Sequence, residues 1–467
     1  MIQLSEEQLA AAQALEDRIQ VIAGAGSGKS TMLVGRYREM LYRGIQPDTV
    51  VIVTFTVKAA KELKVKMADL PPPKYIGTVH GFCATLLQPG WGVATNEIAE
   101  AAKKWAMDAF PKEKWPSNDA IACRATGSSR VYQVYKRRLT DDKLVDFDML
   151  LEEGFEVIYV RGGCGGDDLH VIVDEYQDTG PLERSIYNCF KTQFVVGDPR
   201  QTLYTFRGVK DWDVEEMEKN GFTTFTLRHS YRFPFWIADR VNLIKFDVPY
   251  PPLVASQRPC TLTYHRWRDW VELNKGRSMT VLCRSNRDVA MITAEIEGMG
   301  LQVSKPKPVP PSLLRYAHWI AARFFPSNST VEQWVRIQGD YEEWAAEAGK
   351  RLCAIKDIYI VGKIPGDLVA DPDVAELLAT GMPVAEQLTT IQQMREGLPS
   401  DGIKVTTVHS YKGLEDDAVC YVVPQYAKGS IEDKRILYVA MTRAKNAQNN
   451  DWRLNYTVAP AWIPSSQ

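Results

Sequence analysis

The sequence predicts an α/β fold of parallel sheets covered by helices. Three observations point there. Short β-rich runs alternate with helical stretches along the chain. The first run leads straight into a glycine loop and then a helix. Acidic residues end two other runs, Asp174-Glu175 and Gly197-Asp198. Ligands of such sheets sit at the carboxyl ends of strands, so these residues stand where a site is expected.

The first strand is expected around Ile19, Val21 and Ile22, and the helix after the loop is patterned by Met32, Leu33, Tyr37, Met40 and Leu41. Further strands are expected over 50–56, 75–79, 170–173, 194–196, 222–227, 279–283, 403–408 and 418–423, with a late strand over 453–458. Two regions break the alternation. Residues 89–145 read as mainly helical, with a basic stretch at Lys136, Arg137 and Arg138. Residues 305–400 open on a proline-rich connector (Pro306, Pro308, Pro310, Pro311) and then turn helical. Both read as insertions. Trp105, Trp115, Trp319, Trp334 and Trp344 are expected in the cores of these insertions. The glycines of 162–166 read as a loop, because no Lys-Ser pair and no helix follow them.

The 467 residues suggest about three domains. Apolar content of 45% and charged content of 24% are those of an ordinary globular protein. The net charge is −2, so nucleic acid would have to be bound by a local basic groove. None of the eight cysteines forms Cys-x-x-Cys, which argues against a zinc ribbon or a dithiol redox pair and fits a reducing, cytoplasmic setting. No apolar run reaches membrane-spanning length, and the acidic N-terminus is not that of a secretory signal.

The loop comprises Ala23, Gly24, Ala25, Gly26, Ser27, Gly28, Lys29, Ser30 and Thr31. Small residues let a backbone wrap a polyphosphate with its N–H groups pointing inward. Lys29 is placed to neutralise the outer phosphates, and the Ser30 hydroxyl to ligate Mg²⁺. In the acidic run 173–178, Asp174 is assigned to Mg²⁺ and Glu175 to the catalytic base of an ATPase.

At this point the sequence resembles a family, the UvrD/Rep-like superfamily 1 DNA helicases. Leu4-Ser5-Glu6-Glu7-Gln8 is similar to the family's adenine-reading motif, residues 23–31 to motif I, and Thr54-Phe55-Thr56-Val57-Lys58 to motif Ia. Thr78-Val79-His80-Gly81-Phe82 matches the Thr-x-His-x-Phe stretch that follows, and 146–151 the return to the first core domain. Residues 174–179 resemble motif II, 196–208 motif III, 227–234 motif IV, 405–415 motif V and 437–444 motif VI. Ten matches in order along one chain are far more specific than any one. Departures are local: Pro199-Arg200 stands where the family usually has an acidic, polar pair, Ser230 where asparagine is usual, and Asp416-Asp417 where a bulky residue commonly follows.

The resemblance implies two RecA-like parallel-sheet core domains, of P-loop NTPase type, with inserted helical subdomains. The first core domain is expected over 1–88 and 145–221, with a helical insertion over 89–144. The second is expected over 222–304 and 401–467, with a reduced helical insertion over 305–400. It implies ATP and Mg²⁺ as cofactors. Gln8 would read the adenine, Tyr231 would stack on it and Glu415 would touch the ribose. Arg207, Arg232 and Arg443 would face the phosphates, and Gln201 would couple them to DNA. Arg228 is expected in a solvated ion pair instead. Single-stranded DNA would be met by Phe55, Tyr204 and Phe206 through stacking and by Thr56, Thr78, His80, Thr407 and His409 at its backbone, with Lys58 or Lys412 adding charge. The activity implied is that of an ATP-dependent DNA translocase or helicase of 3′-to-5′ polarity, acting in repair, replication or recombination. The alternative is an ATP-regulated nucleic-acid-sensing subunit of a nuclease or defence complex. Single-stranded DNA and its junctions with duplex are the expected partners, with either a nuclease or a replication or repair protein beside them, and a membrane is not.

Overall fold

Parallel sheets covered by helices require strands that are buried on both faces, and the central strands meet that requirement. In chain order the described strands of the first half are β1 (Arg18–Ala23), β2 (Val50–Val53), β3 (Tyr75–Gly77), β4 (Gly92–Val93), β5 (Leu144–Val145), β6 (His170–Val173), β7 (Thr192–Gly197) and β8 (Thr223–Leu227). They are followed by β9 (His229–Ser230), β10 (Val254–Ala255), β11 (Met279–Cys283), β12 (Val303–Ser304), β13 (Ile403–Thr407), β14 (Ala418–Tyr421) and β15 (Arg453–Tyr456). Every residue of β2, β6, β11 and β14 is buried. The structure, a computed structural model, describes residues 4–88, 90–94, 96–116, 129–160, 168–205, 208–246, 250–255, 267–276, 279–304, 312–313, 316, 372–379, 403–416, 418–424, 426–444 and 453–456.

Two sheets result. The first has six strands in the order β3-β2-β6-β7-β1-β8. Within it β1 runs parallel to β7 and β8, and β6 parallel to β2 and β7. The second has five strands in the order β12-β13-β11-β14-β15, all in parallel pairs. The α/β class and the parallel sheets expected from the sequence are therefore present. The late strand is present too, as β15 pairs along β14 with Arg453 opposite Ala418.

The chain divides into two compact units. One comprises Met1–Ile76, Gly165–Ser304 and Pro399–Gln467 and holds both large sheets. The first sheet packs Ile19, Val21, Ile52, Ile172 and Phe194 against Met32, Leu33 and Tyr37 of the helix Lys29–Tyr42. The second packs Val281 and Cys283 against Trp270, Ile292 and Ile296. A third cluster joins the two halves of this unit, with Ala25 and Leu203 beside Ile237, Val408 and Tyr438.

The other unit comprises Gly77–Cys164 and Lys305–Leu398. In its described part the helices Arg130–Asp141 and Phe147–Phe155 pack against β5, which pairs in parallel with β4, and the helix Asn96–Ala109 packs against Arg130–Asp141. Tyr132 and Tyr135 are buried there, and Trp115 meets Tyr135 edge-on at 5.0 Å. Trp105 departs from expectation. It is 53% exposed, lying on the outer side of the helix Asn96–Ala109 rather than in the core. Trp319, Trp334, Trp344 and the glycines of 162–166 lie outside the described residues. Among the described residues no helix is long and apolar enough to cross a membrane.

Candidate active site

The loop after β1 is shaped by two glycines. Gly26 and Gly28 have φ of 74° and 78°, in the left-handed region that side chains disfavour. They also have no room for one. A Cβ on Gly26 would lie 2.5 Å from both the Arg232 Cβ and the Ser230 Oγ, and one on Gly28 would lie 2.5 Å from the Gln8 Nε2. Gln8 is buried and its amide fastens the loop. Its Nε2 donates to the Ser27 carbonyl at 2.9 Å, while its Oε1 accepts from the Ser5 backbone N–H at 3.0 Å. The Tyr231 N–H donates to the Gly26 carbonyl at 2.8 Å, so the segment after β8 lies along the loop. The Tyr231 ring is 54% exposed and tilted against His229.

Lys29, Ser30 and Thr31 open the helix Lys29–Tyr42. The Lys29 ammonium is 3.4 Å from Glu175. Asp174 and Glu175 follow β6, and Glu175 holds φ 53°, a strained conformation for a residue with a side chain. Burial and the charge of Glu175 push the Asp174 carboxyl well above the usual carboxylate range. Burial acts on Glu175 in the same sense, but Lys29 and Lys412 outweigh it and hold that carboxylate down and ionised. The two adjacent carboxyls are thus pushed in opposite directions, Asp174 up by burial and the charge of Glu175, and Glu175 down by the neighbouring ammonium groups.

The fit of a nucleotide triphosphate rests on this loop. Ser27 is buried and its Oγ has no partner among the described residues. With the positive-φ glycines and Lys29 at the start of a helix, that hydroxyl gives the loop the character of a phosphate cradle. For a divalent cation the donor set would be the Ser30 hydroxyl and the Asp174 carboxylate. Such a set suits Mg²⁺, which takes few protein oxygens and completes its shell with phosphate oxygens and water.

Residues from the second half of the unit close on this loop. Arg443 is 2% exposed. Its Nη2 donates to the Gln201 Oε1 at 3.2 Å, and its Nε to the Val439 carbonyl at 2.9 Å. Burial and the nearby Arg232 push its guanidinium down to about 9. Arg232 pairs with Glu415 at 2.8 Å and donates to the Thr442 carbonyl at 3.2 Å. Arg228 pairs with Glu7 at 3.0 Å on the surface, as expected of it. Arg207 lies outside the described residues, as does Phe206.

Of the residues expected to meet DNA, Phe55 and Tyr204 stack on each other with ring centroids 5.1 Å apart. His409 meets Tyr204 at 6.2 Å. Thr56 and Lys58 are exposed at the start of the helix Val57–Lys66, which Thr56 caps. Thr407, at the end of β13, is buried and bonded to Ser410. Thr78 and His80 belong to the other unit, where Thr78 caps the helix Val79–Thr85 and His80 meets Phe147 edge-on. Close packing pushes the His80 imidazole down to about 4, so it is neutral at physiological pH.

Lys412 is a correction. It is nearly buried, bonded to the Asp178 carboxylate and to the Gln201 carbonyl, the latter at 2.6 Å. Its charge is spent inside the unit and does not add to an open groove. The sequence places Asp198 at a strand end where a site is expected but assigns no role to it, to Arg200 or to Tyr438, which form a buried cluster beside Gln201. The Gly-Asp pair ending β7 was the available signal.

The family model of the UvrD/REP helicase N-terminal domain matches residues 4–92 and 92–220, and that of the UvrD-like helicase C-terminal domain matches 380–447. The chain is 25% identical over 292 residues to the ATP-dependent DNA helicase srs2 of Schizosaccharomyces pombe, covering 49% of this chain and 33% of that protein. It is 25% identical over 286 residues to the ATP-dependent DNA helicase PcrA of Staphylococcus aureus, covering 51% and 39%. To the Gabija protein GajB of Bacillus cereus it is 24% identical over 465 residues, covering 92% and 91%. The chain thus spans little more than a third of the length of the curated helicases it matches.

Proposed function

We propose that this chain, which belongs to the UvrD/REP-like helicase family, is an ATP-dependent translocase on single-stranded DNA that can act as a helicase with 3′-to-5′ polarity. One observation carries the reading: the half that bears the second sheet delivers Arg443 to Gln201 and Arg232 to the edge of the loop that holds Lys29. Guanidinium groups supplied across a cleft stabilise transferring phosphoryl charge when the cleft is shut, an effect of about 10³–10⁵ in rate.

In this reading Lys29 and the loop N–H groups bind the triphosphate, Ser30 and Asp174 hold its Mg²⁺, and Gln8 and Tyr231 take the base. Bound Mg²⁺–ATP supplies the phosphoanhydride whose cleavage drives the cycle. Glu175, kept ionised by Lys29 and Lys412, is able to accept a proton from water. Gln201 touches Arg443 and follows Asp198 in the turn that leads to Tyr204, so the catalytic cleft and the Phe55–Tyr204 platform share one segment. Opening and closing of the cleft would then alter the grip on bases. The expected domains are those of two RecA-like cores with helical insertions over 89–144 and 305–400.

The purified chain should hydrolyse ATP faster with single-stranded DNA present. Lys29→Ala should abolish that turnover while circular dichroism and melting stay unchanged. Unaltered DNA-stimulated turnover in the variant overturns the site. Tailed duplexes of both polarities test unwinding, and displacement only from 5′ tails overturns the polarity. A second reading, in which the nucleotide cycle serves a partner such as a nuclease and no strands separate, is favoured by one observation. The likeness to GajB runs through 91% of that protein's length. Hydrolysis without displacement on either tail would select it.

A further inference from the structure

Asp198 is the most heavily committed carboxylate in the site, and it is fully buried. Its Oδ1 accepts from the Arg200 Nε at 2.8 Å and from the Arg200 backbone N–H at 3.2 Å. Its Oδ2 accepts from the Tyr438 hydroxyl at 2.7 Å and from the Gln201 Nε2 at 3.1 Å. Its own N–H donates to the Gln177 Oε1 at 3.0 Å, and the Gln177 Nε2 donates on to Glu175. A hydrogen-bonded chain therefore runs from Glu175 through Gln177, Asp198 and Gln201 to Arg443.

The amide of Gln201 can face Arg443 in two ways. With its NH₂ tied to Asp198, its oxygen meets the Arg443 Nη2. If Asp198 became a donor, the amide would turn and oppose a guanidinium with N–H groups. A buried carboxyl stays an acceptor only while a cation stands beside it. Arg200 is that cation. It is buried, its guanidinium lies 4.9 Å from the Tyr438 ring centroid and 5.7 Å from that of Tyr250, and its Nη1 donates to the Pro251 carbonyl at 3.4 Å. This arginine sits where the resemblance leads one to expect an acidic or polar residue, so the device belongs to this chain's own sequence.

We propose that Arg200 is a positioning residue for turnover: it keeps Asp198 an acceptor, so that Gln201 presents its amide oxygen to Arg443. The inference rests on the ATP-hydrolysing reading and adds a residue to it. The charged and titratable groups facing Asp198 are Arg200 from its own turn, Tyr438 from the helix Ile431–Met441, Tyr250 from the segment before β10, and Lys29 from the loop helix. Burial works to raise the Asp198 carboxyl, and Arg200 leads the groups that hold it down instead.

The test is DNA-stimulated ATP turnover by the full chain between about pH 6 and pH 9. In Arg200→Met, kcat near neutral pH should fall at least about ten-fold, the scale of a misplaced catalytic group, with the KM for ATP little changed. It should recover as rising pH ionises Asp198. Asp198→Asn should show the same fall with no recovery, and Arg200→Lys should retain most of the wild-type rate. A merely structural role would lower the rate without reshaping its pH profile. An Arg200→Met profile parallel to that of the wild type overturns the inference. Should that variant not fold, Asp198→Asn turning over as fast as Arg200→Lys overturns it equally. A wild-type chain without any turnover would instead overturn the reading of the site.

Discussion

At the scale of single residues, the loop after β1 combines two constraints that can be separated. Gly26 has both a positive φ and a Cβ position 2.5 Å from Arg232 and Ser230, whereas Gly44 has φ 84° and nothing within 4 Å of its Cβ position. Gly44→Ala should therefore cost only backbone strain, about 1–2 kcal/mol, seen as a lower melting temperature with turnover unchanged. Gly26→Ala should cost a similar strain and also displace Arg232, so its turnover should collapse. Equal ATPase rates for the two variants would show that Arg232 need not lie against the loop. The loop itself was legible because its residues are consecutive: three glycines, Lys29 and Ser30 announce their chemistry within nine positions. The Asp198 cluster was not. Its hydroxyl donor Tyr438 lies 240 residues further along, and its acceptor role exists only once both sheets have formed. Lys412 shows the same limit in reverse, since a lysine read as groove charge turned out to neutralise a buried acid.

At the scale of elements, the strands that the sequence revealed are those buried on both faces. β2 and β14 read as unbroken apolar runs, and β6 and β11 as apolar runs with one polar residue each, His170 and Thr280, because helices cover their sheets. Strands of two residues, such as β4, β5, β9, β10 and β12, carry too few side chains for any period to show. The helix Ile431–Met441 is set by packing more than by its ends. Ile436, Leu437, Tyr438, Val439 and Ala440 are all at most 1% exposed. Its start is a capping box in which Ser430 accepts from the Asp433 N–H, while Asp433 accepts from the backbone N–H groups of Lys428, Gly429 and Ser430. Removing the Ser430 hydroxyl leaves one donor of the first turn unmet. Ser430→Ala should lower stability by about 1 kcal/mol, measured as a shifted urea midpoint at constant slope. Turnover should stay within two-fold, because Tyr438 and Arg443 are anchored beyond that turn by Asp198 and Gln201. A large loss of kcat with stability unchanged would mean that the cap, and not the core, sets the position of Arg443.

At the scale of the whole molecule, what joins the two sheets of the larger unit is partly apolar and partly charged. Ala25 and Leu203 pack among Ile237, Val408 and Tyr438, and across the same junction Lys412, in the turn after β13, reaches the fully buried Asp178 and the Gln201 carbonyl. A buried pair is costly to assemble and costlier to break, because the remaining charge has no water. Burial raises the Asp178 carboxyl to about 6 even though Lys412 pulls it down, against 3.8 for an ordinary aspartate. A folded value above the unfolded one means that stability from this group is full below pH 3.8 and declines as pH rises through about 6. Without the ammonium the folded value must climb further, so the decline continues to higher pH. Lys412→Met should thus destabilise the protein by about 3–5 kcal/mol at pH 8 and by clearly less at pH 5, where Asp178 takes up a proton. Adding Asp178→Asn removes the stranded charge and should return part of the stability at pH 8 but little at pH 5. Denaturant unfolding of the single and double variants at both pH values measures this. An identical loss for Lys412→Met at pH 5 and pH 8 would mean that Asp178 is reached by water once the lysine is gone, and that the junction between the sheets is held by its apolar contacts alone.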